Sequence, residues 1–193
     1  MGLDMYLNRM PRYKDATPND VYAVESFLDW IREKANGSEY SKCTFKEWCG
    51  IEEIPSNEYI GFYADFYNQK YYYWDTEHKH GYYMIHEQVG YWRKANAIHK
   101  WFVENIQDNI DDCGYHREVT QEDLEELRDI CREILCSPDV AEDKLPTTSG
   151  FFFGSTVYDE WYMEDIKNTI DIITKVLETT DFETEMIYYV SSW

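Results

Sequence analysis

The stretch VGYWRKANAIHKWFV, residues 89–103, concentrates the side chains of this chain that are best suited to bind an anion. An arginine or lysine pairs with a phosphate or carboxylate, an asparagine amide donates to it, and a tryptophan ring stacks on an aromatic group. One hypothesis is therefore a pocket that captures or processes a small anionic ligand, such as a nucleotide signal. Its residues would be Trp92, Arg93, Asn96, His99, Lys100 and Trp101.

The same stretch also predicts a helix with one buried side. At about 100° per residue, its apolar residues gather on one side, and Arg93, Asn96 and Lys100 gather on the other. His99 falls on the apolar side, where burial favours a neutral, hydrogen-bonded ring. Because the chain holds 38 acids against 18 bases, the cations have many carboxylates with which to pair. The sequence favours this second interpretation, a core helix whose cations face the chain's own acids.

Signatures of catalysis and of metal binding are weak. His86-Glu87 begins like the helix of a zinc protease, but the second histidine of that motif is replaced by glycine. Glu77, His78 and His80 would meet at a metal only if the fold brought them together. The chain has no Gly-x-Ser-x-Gly motif and no phosphate-binding loop pattern. We therefore expect a binding protein rather than an enzyme, with no catalytic residues, no metal and no cofactor.

Acidity is concentrated in the second half of the chain. Residues 1–103 hold 15 Asp and Glu against 12 Lys and Arg, whereas residues 104–193 hold 23 against 6. The second half thus contributes −17 to the formal net charge of −20. A surface of this kind repels phosphates, so we expect no direct binding of nucleic acid. An acidic surface also keeps a protein soluble, and this simpler role is left open.

One predicted helix displays these acids as a stripe. Thr120 is placed to cap its start, and Ser137-Pro138 ends it. Apolar residues repeat at helical spacing between Leu124 and Leu135. The opposite face carries Glu122, Glu125, Glu126, Asp129 and Glu133. With turns spaced by about 5.4 Å, such a row of carboxylates can occupy a Lys/Arg channel that normally holds nucleic acid.

The remaining patterns predict an α+β protein. Leu3, Met5 and Leu7 repeat at every second position near one end, and Met186, Tyr188 and Val190 do so in FETEMIYYVSSW near the other, so both ends of the chain read as strands. Further helices are predicted from Thr17 to Asn36, from Thr44 to about Gly50 and from about Tyr158 to Leu177. The loop GFFFGST is predicted to bury its phenylalanines between glycine turns. The expected fold is a helix-dominated single domain with a small antiparallel sheet that includes the two termini.

Residues 59–74, YIGFYADFYNQKYYYW, hold nine aromatic rings. The run from Tyr71 to Trp74 suits a strand, since aromatic residues pack well on a pleated surface. Three interpretations stay open: a sheet packed under a helix, a face for self-association or for a partner, and a stacking platform. As a partner face, the segment would use Tyr71, Tyr73 and Trp74 as apolar anchors.

Composition also bears on the compartment. No apolar run approaches the roughly 20 residues of a membrane helix, and the start of the chain carries Asp4 and lacks a long apolar segment. Five cysteines without CxxC spacing fit reduced thiols. We expect a cytosolic protein without membrane contact.

Four stretches resemble an uncharacterised family of small bacteriophage and prophage proteins. They are MGLDMYL, VGYWRKANAIHKWFV, LPTTSGFFFGST with the YDEWYMEDI that follows, and YYVSSW, in this order. The resemblance covers residues 1–10 and 86–193, whereas the aromatic-rich segment 11–85 looks inserted or elaborated. The family has no activity to transfer. The resemblance implies a phage accessory protein in the cytoplasm of a bacterial host cell, where such genes often counter host defence.

The acidic stripe and the resemblance lead to one functional hypothesis. It is an inhibitor of the anti-CRISPR or anti-restriction type, whose partner is a host protein with a basic nucleic-acid-binding groove. The stripe acids between Glu122 and Glu133 would supply the electrostatic contacts, and the anchors between Tyr71 and Trp74 the apolar ones. The alternative is the site for a small anionic ligand described first. Whether the chain forms a homodimer is left open.

Overall fold

The computed structural model describes residues 2–12, 17–18, 73–74, 83–84, 87–113 and 117–193. The chain divides into two compact units, one of Met1–Arg9 with Gln88–Trp193 and one of Met10–Glu87. The sequence-based boundaries of the segment 11–85 differ from this division by one or two residues. That the chain acts as a single domain stays a prediction.

Six strands occur among the described residues. In chain order they are β1 (Asp4–Pro11), β2 (Tyr73–Trp74), β3 (Tyr83–Met84), β4 (Glu87–Arg93), β5 (Glu118–Val119) and β6 (Glu185–Ser192). Four of them form an antiparallel sheet in the order β4-β1-β6-β5. The strands from the two ends of the chain are therefore neighbours at its centre, which confirms the predicted α+β fold with both termini in the sheet.

Alternation at the start of the chain places the apolar residues of β1 in the core, whereas in β6 four consecutive residues, Met186 to Tyr189, are buried and the predicted alternation is not seen. Leu3, Met5 and Leu7 are fully buried, with the half-buried Asp4 and Tyr6 between them. In β6, Ile187 and Tyr189 belong to the same core cluster. Burial of this face stabilises the sheet by about 25 cal/mol for each Å² of apolar surface removed from water.

Four α-helices follow in the described part of the chain. They are α1 (Asn96–Asn105), α2 (Gln121–Cys136), α3 (Ala141–Lys144) and α4 (Glu160–Thr179), with a short 3-10 turn at Pro138–Val140. Helices α2 and α4 pack against each other through core residues that include Leu127 and Ile173. The predictions for these two helices are confirmed to within two residues at each end.

Local hydrogen bonds explain where α2 and α4 begin. The Thr120 hydroxyl accepts from the backbone N–H of Asp123, whose carboxylate in turn accepts from the backbone N–H of Thr120. This is the predicted capping box, and it satisfies amide groups that the helix itself leaves free. At α4, the Asp159 carboxylate accepts from the backbone N–H groups of Trp161 and Tyr162.

The predicted helix over residues 89–103 is wrong in its first part. Residues up to Arg93 form β4, and α1 begins only at Asn96. In β4, Gly90 and Trp92 are buried whereas Tyr91 and Arg93 are exposed, which is the two-residue period of a strand. A β-carbon at Gly90 would lie 2.7 Å from Cγ2 of Ile172, so glycine here lets α4 approach the strand closely.

Burial along α1 also differs from the predicted amphipathic pattern. Asn96, expected on the polar side, is buried, and so is Trp101. His99 is confirmed as a core residue with 1% of its surface exposed. The helix is therefore enclosed on most sides rather than on one.

The phenylalanine loop follows its prediction in part. Phe153 is buried and Phe152 is half-buried, but Phe151 is 95% exposed. Gly154 adopts a φ of +89°, a left-handed conformation that glycine takes without strain. The loop thus turns one ring into the core and leaves another in solvent.

In the second unit, β2 and β3 form an antiparallel pair with Tyr73 opposite Met84 and Trp74 opposite Tyr83. The predicted strand is thereby confirmed at Tyr73 and Trp74, whereas Tyr71 lies outside the described residues. The helices predicted for 17–36 and 44–50 lie outside them too, except for Thr17 and Pro18.

Among the described helices, none has both the length and the apolar character needed to cross a membrane. Cys113, Cys131 and Cys136 are free thiols.

Candidate functional site

The predicted acidic stripe lies on the solvent side of α2. Leu124, Leu127, Cys131 and Ile134 are buried on the inner face. On the outer face Glu122, Glu126, Asp129 and Glu133 are exposed, and Glu125 is half-buried. The stripe from the first to the last of these acids spans about 16 Å at a rise of about 1.5 Å per residue.

The two ends of the stripe differ in charge. Near the C-terminal end, Asp129 lies 3.3 Å from Nη1 of Arg132, and Glu133 lies 3.2 Å from Nζ of Lys144. Glu122 and Glu126 have no cation within ion-pair distance among the described residues. The first half of the stripe therefore carries unopposed charge, whereas the second half is largely neutralised by the chain itself. Exposed ion pairs of this kind contribute only about 0–1 kcal/mol, so a partner can displace them.

The other acids of the second half also face solvent. Of the 23 acids in residues 104–193, 17 are exposed and the other 6 are half-buried. None is buried, so their charge acts on the surroundings. They are distributed over all four helices, β5, β6 and the connecting loops rather than over one helix.

The second predicted set, for an anionic ligand, is not gathered in one place. Trp92 is buried in the core, where its Nε1 donates to the Thr169 hydroxyl at 2.9 Å. Trp101 is buried as well, so neither indole offers a stacking face to solvent. Lys100 lies 3.7 Å from Glu104, which is the kind of internal pairing that the sequence favours. Arg93 is exposed and forms no ion pair with a described residue.

His99 is held by a polar chain inside the core. Its Nδ1 lies 2.7 Å from the Tyr189 hydroxyl, and its Nε2 lies 3.1 Å from Oδ1 of Asp111. Because the Asp111 carboxylate accepts a hydrogen bond, Nε2 carries the proton and Nδ1 accepts from Tyr189. Burial lowers the pKa of His99, although Asp111 acts in the opposite direction. Burial also raises the pKa of Tyr189 well above its usual value.

This chain of hydrogen bonds contains the groups of a proton relay, but its tyrosine is not accessible to a substrate. Tyr189 is fully buried and its ring stacks on Phe102 with centroids 4.1 Å apart. With Tyr189 at 0% exposure, its hydroxyl is closed to a substrate by the described residues. The network therefore fits a structural role, in which α1 is fastened to β6.

Asn96 shapes the loop that precedes α4. Its Nδ2 donates to the carbonyl oxygens of Phe153 and Ser155 at 3.1 and 2.8 Å. Its Oδ1 accepts from the backbone N–H of Thr148 at 3.0 Å. With three hydrogen bonds made to the loop, the buried side chain positions the backbone of residues 147–157 and is not left free for a ligand.

A cavity of about 510 Å³ lies beside this loop. We call it the α4 cavity, because the first turns of α4 form one wall and the start of α1 forms another. Arg93 and Asn96 line it, whereas the other four residues of the predicted anionic-ligand site do not. Further lining residues are Lys94, Thr147, Gly154, Ser155, Val157, Asp159, Trp161, Glu164 and Asp165.

Lys94, Trp161 and Asp165 are lining residues with charged or aromatic side chains that the sequence did not indicate as part of a site. Burial raises the pKa of Asp165 to about 6, and repulsion from Glu164 and Asp159 adds to the effect. Trp161 is 78% exposed. The sequence does predict this exposure, because at about 100° per residue Trp161 lies about 140° around α4 from the core residue Ile166.

The anchors predicted at Tyr71, Tyr73 and Trp74 stay a prediction. Tyr73 and Trp74 lie in β2, and nothing further is described of their side chains. His78, His80 and His86 fall outside the described residues. Within those residues, no three His, Cys, Asp or Glu side chains are grouped to hold a metal ion.

The fold and the charges together define the class, an acidic α+β protein with an exposed carboxylate stripe. Comparison with protein-family models, with curated proteins and with solved structures gives no match. The resemblance to the bacteriophage and prophage family therefore stays a prediction.

Proposed function

We propose that this chain is a phage-encoded inhibitor that binds the basic nucleic-acid channel of a host defence enzyme, in the manner of anti-CRISPR or anti-restriction proteins. One observation carries the proposal: every acid of residues 104–193 reaches solvent, against 6 bases in the same stretch. The inhibitor would act in the cytoplasm of the bacterial host cell. It would bind no nucleic acid directly.

Counterion release supplies the driving force. A Lys/Arg channel attracts anions that a bound nucleic acid exchanges for its phosphates, and a fixed row of carboxylates can make the same exchange. Opposite potentials also speed the encounter of the two proteins. The affinity should therefore fall steeply as salt is added.

Within the stripe, we expect Glu122 and Glu126 to contribute most. Neither is paired with a cation of the described residues, so binding does not first have to break an internal ion pair. Glu122 also lies in the first turn of α2, where the helix dipole favours a negative charge and the capping box holds the backbone in place. These two carboxylates are thus both available and well positioned.

The test is competition for DNA. Purified RNA-guided nucleases and restriction endonucleases are mixed with a labelled DNA duplex, and the protein is titrated in at rising salt. We expect at least one enzyme to release its DNA, and we expect the double variant Glu122→Lys/Glu126→Lys to weaken inhibition by about tenfold or more.

The matched control is Glu178→Lys/Glu183→Lys, which makes the same change in net charge at two exposed acids away from the stripe. It should inhibit like the parent protein. If no enzyme in the panel releases DNA, the proposal fails; if both double variants lose inhibition equally, total charge rather than the stripe is responsible. Thermal unfolding of each variant shows whether a loss reflects misfolding.

A further inference from the structure

Trp161 gives the α4 cavity an aromatic ring that is largely exposed to solvent. Its side chain is 78% exposed, and Val157, which lines the same cavity, is 62% exposed. Tryptophan is usually well buried, and apolar groups exposed together beside a cavity often mark a binding site. A base that stacks on an exposed ring of this kind gains about 1–3 kcal/mol.

Two cations of the cavity are also unused. Arg93 and Lys94 line it, and neither forms an ion pair with a described residue. Seven other described cations do form ion pairs: Arg9, Lys100, Arg117, Arg128, Arg132, Lys144 and Lys167. In a chain with such an excess of acids, two unpaired cations side by side are unexpected, and they suit a phosphate.

The backbone at Lys94 is held in an uncommon conformation. Its φ is +60°, in the left-handed region that non-glycine residues rarely adopt. The conformation is fixed because Lys94 N donates to Leu3 O at 2.8 Å and Lys94 O accepts from Asn96 N at 2.9 Å. Gly154 packs against it, since a β-carbon there would lie 3.3 Å from Cβ of Lys94. Such local strain tends to occur where a side chain must be aimed at a site.

Among the described carboxylates that line the cavity, Asp165 alone has no hydrogen bond or ion pair through its carboxylate. Asp159 caps α4, and Glu164 lies 3.7 Å from Nζ of Lys167. The half-buried Asp165 carboxylate accepts no hydrogen bond from a described residue, although its backbone oxygen accepts from Thr169. A partly buried carboxylate without donors is costly, and two adjacent N–H donors of a ligand would satisfy it.

From these groups we infer that the α4 cavity binds a guanine nucleotide. The base stacks on Trp161, its neighbouring N1–H and N2–H donors face the Asp165 carboxylate, and its phosphate lies against Arg93 and Lys94. Guanine is favoured over the other bases because it alone presents two adjacent donors on its pairing edge together with a large stacking surface. The cavity volume falls in the range of about 300–1,000 Å³ that is usual for small-molecule sites.

The net negative charge of the chain does not prevent this binding. Charges farther than about 8 Å are largely screened at physiological ionic strength, so the cations that touch the phosphate dominate. The site is separate from the acidic stripe on α2, and neither function requires the other.

Calorimetric titration with GMP tests the inference, with AMP, UMP, guanosine and inorganic phosphate as comparison ligands. We expect GMP to bind more tightly than each of these. Trp161→Ala and Arg93→Ala should each weaken GMP binding by about tenfold or more. Asp165→Asn should remove the preference for GMP over AMP. Phe151→Ala, a change of an exposed ring in the same loop that does not line the cavity, should leave binding unchanged.

Several results would overturn the inference. Absence of GMP binding at millimolar concentration would do so, as would parental affinity in both Trp161→Ala and Arg93→Ala. Inorganic phosphate that binds as tightly as GMP would show that no base is recognised, and AMP that binds as tightly would remove the assignment of guanine. The stripe variant Glu122→Lys/Glu126→Lys should still bind GMP, so this site and the proposed inhibition can fail independently.

Discussion

The Nδ1 atom of His99 lies 2.7 Å from the hydroxyl oxygen of Tyr189, which joins α1 to the last strand of the chain. On its other side the ring reaches Asp111, whose Oδ1 also accepts from Nε1 of Trp193 at 3.3 Å. The buried imidazole thus joins a helix to a strand, and through Asp111 the network also reaches Trp193.

Removal of the Tyr189 hydroxyl should destabilise the protein. In Tyr189→Phe the ring of His99 would keep a buried acceptor with no donor, which typically costs about 1–3 kcal/mol. Urea unfolding at a pH where His99 is neutral measures the loss. Tyr91→Phe is the control, since the Tyr91 hydroxyl donates to Asp4 at an exposed position and its loss should cost less than about 0.5 kcal/mol. Equal losses in the two variants would contradict a special role for the buried bond.

Acidification should destabilise the protein through His99. Because burial lowers the pKa of His99 in the folded state, the unfolded chain takes up a proton first as the pH falls. The stability that depends on the neutral ring is therefore complete above about pH 6.5 and is lost progressively below it. His99→Gln should show a shallower decline of unfolding free energy over this range. Both proteins should carry Asp165→Asn, because Asp165 titrates in the same pH range and its protonation raises the unfolding free energy as the pH falls. Identical slopes of unfolding free energy against pH would refute the prediction.

Asp165 should cost stability at neutral pH. With the pKa of Asp165 raised to about 6 in the folded state, ionisation of this carboxyl at pH 7 is less favourable in the folded protein than in the unfolded chain. Asp165→Asn should therefore raise the unfolding free energy at pH 7 by about 1–2 kcal/mol, after allowance for partial exposure. The gain should shrink as the pH falls through about 6. Asp171→Asn, at an exposed position of the same helix, should change little, and a similar gain there would contradict the explanation.

Loss of the Asn96 amide should loosen the loop before α4. Asn96→Ala leaves three backbone groups of residues 147–157 without their partner, at a cost of about 2–3 kcal/mol. Limited proteolysis should then cut within this loop earlier than in the parent. Asn105→Ala removes only one part-buried hydrogen bond within α1, to the Trp101 carbonyl, and should leave the cleavage pattern unchanged. A parental cleavage rate in Asn96→Ala would show that other contacts hold the loop.

Much of the scaffold follows from the sequence because it depends on neighbours along the chain. The capping box at Thr120, the end of α2 before Pro138 and the outward stripe all come from spacing within one segment. The alternation in Leu3, Met5 and Leu7 is equally local. Such features need no knowledge of what packs on the other side.

The segment 89–103 shows where local patterns stop being sufficient. The five residues from Val89 to Arg93 are too few to distinguish a period of 2 from a period of 3.6, and Trp92 lies inside in both arrangements. Packing decides between them: Gly90 admits Ile172 of α4 at close range, and Trp92 donates to Thr169 of the same helix. The strand is therefore fixed by a partner far along the chain.

By itself, the sequence determined α2, α4 and the terminal strands, the outward face of α2 and the excess of negative charge in the second half. Only the tertiary structure decided that Arg93 and Lys94 share a cavity with Trp161 and Asp165, and that Trp92 and Trp101 do not. The physical reason is that spacing sets the face on which a residue lies, whereas a cavity requires faces of distant segments to meet, and that depends on how the whole core packs.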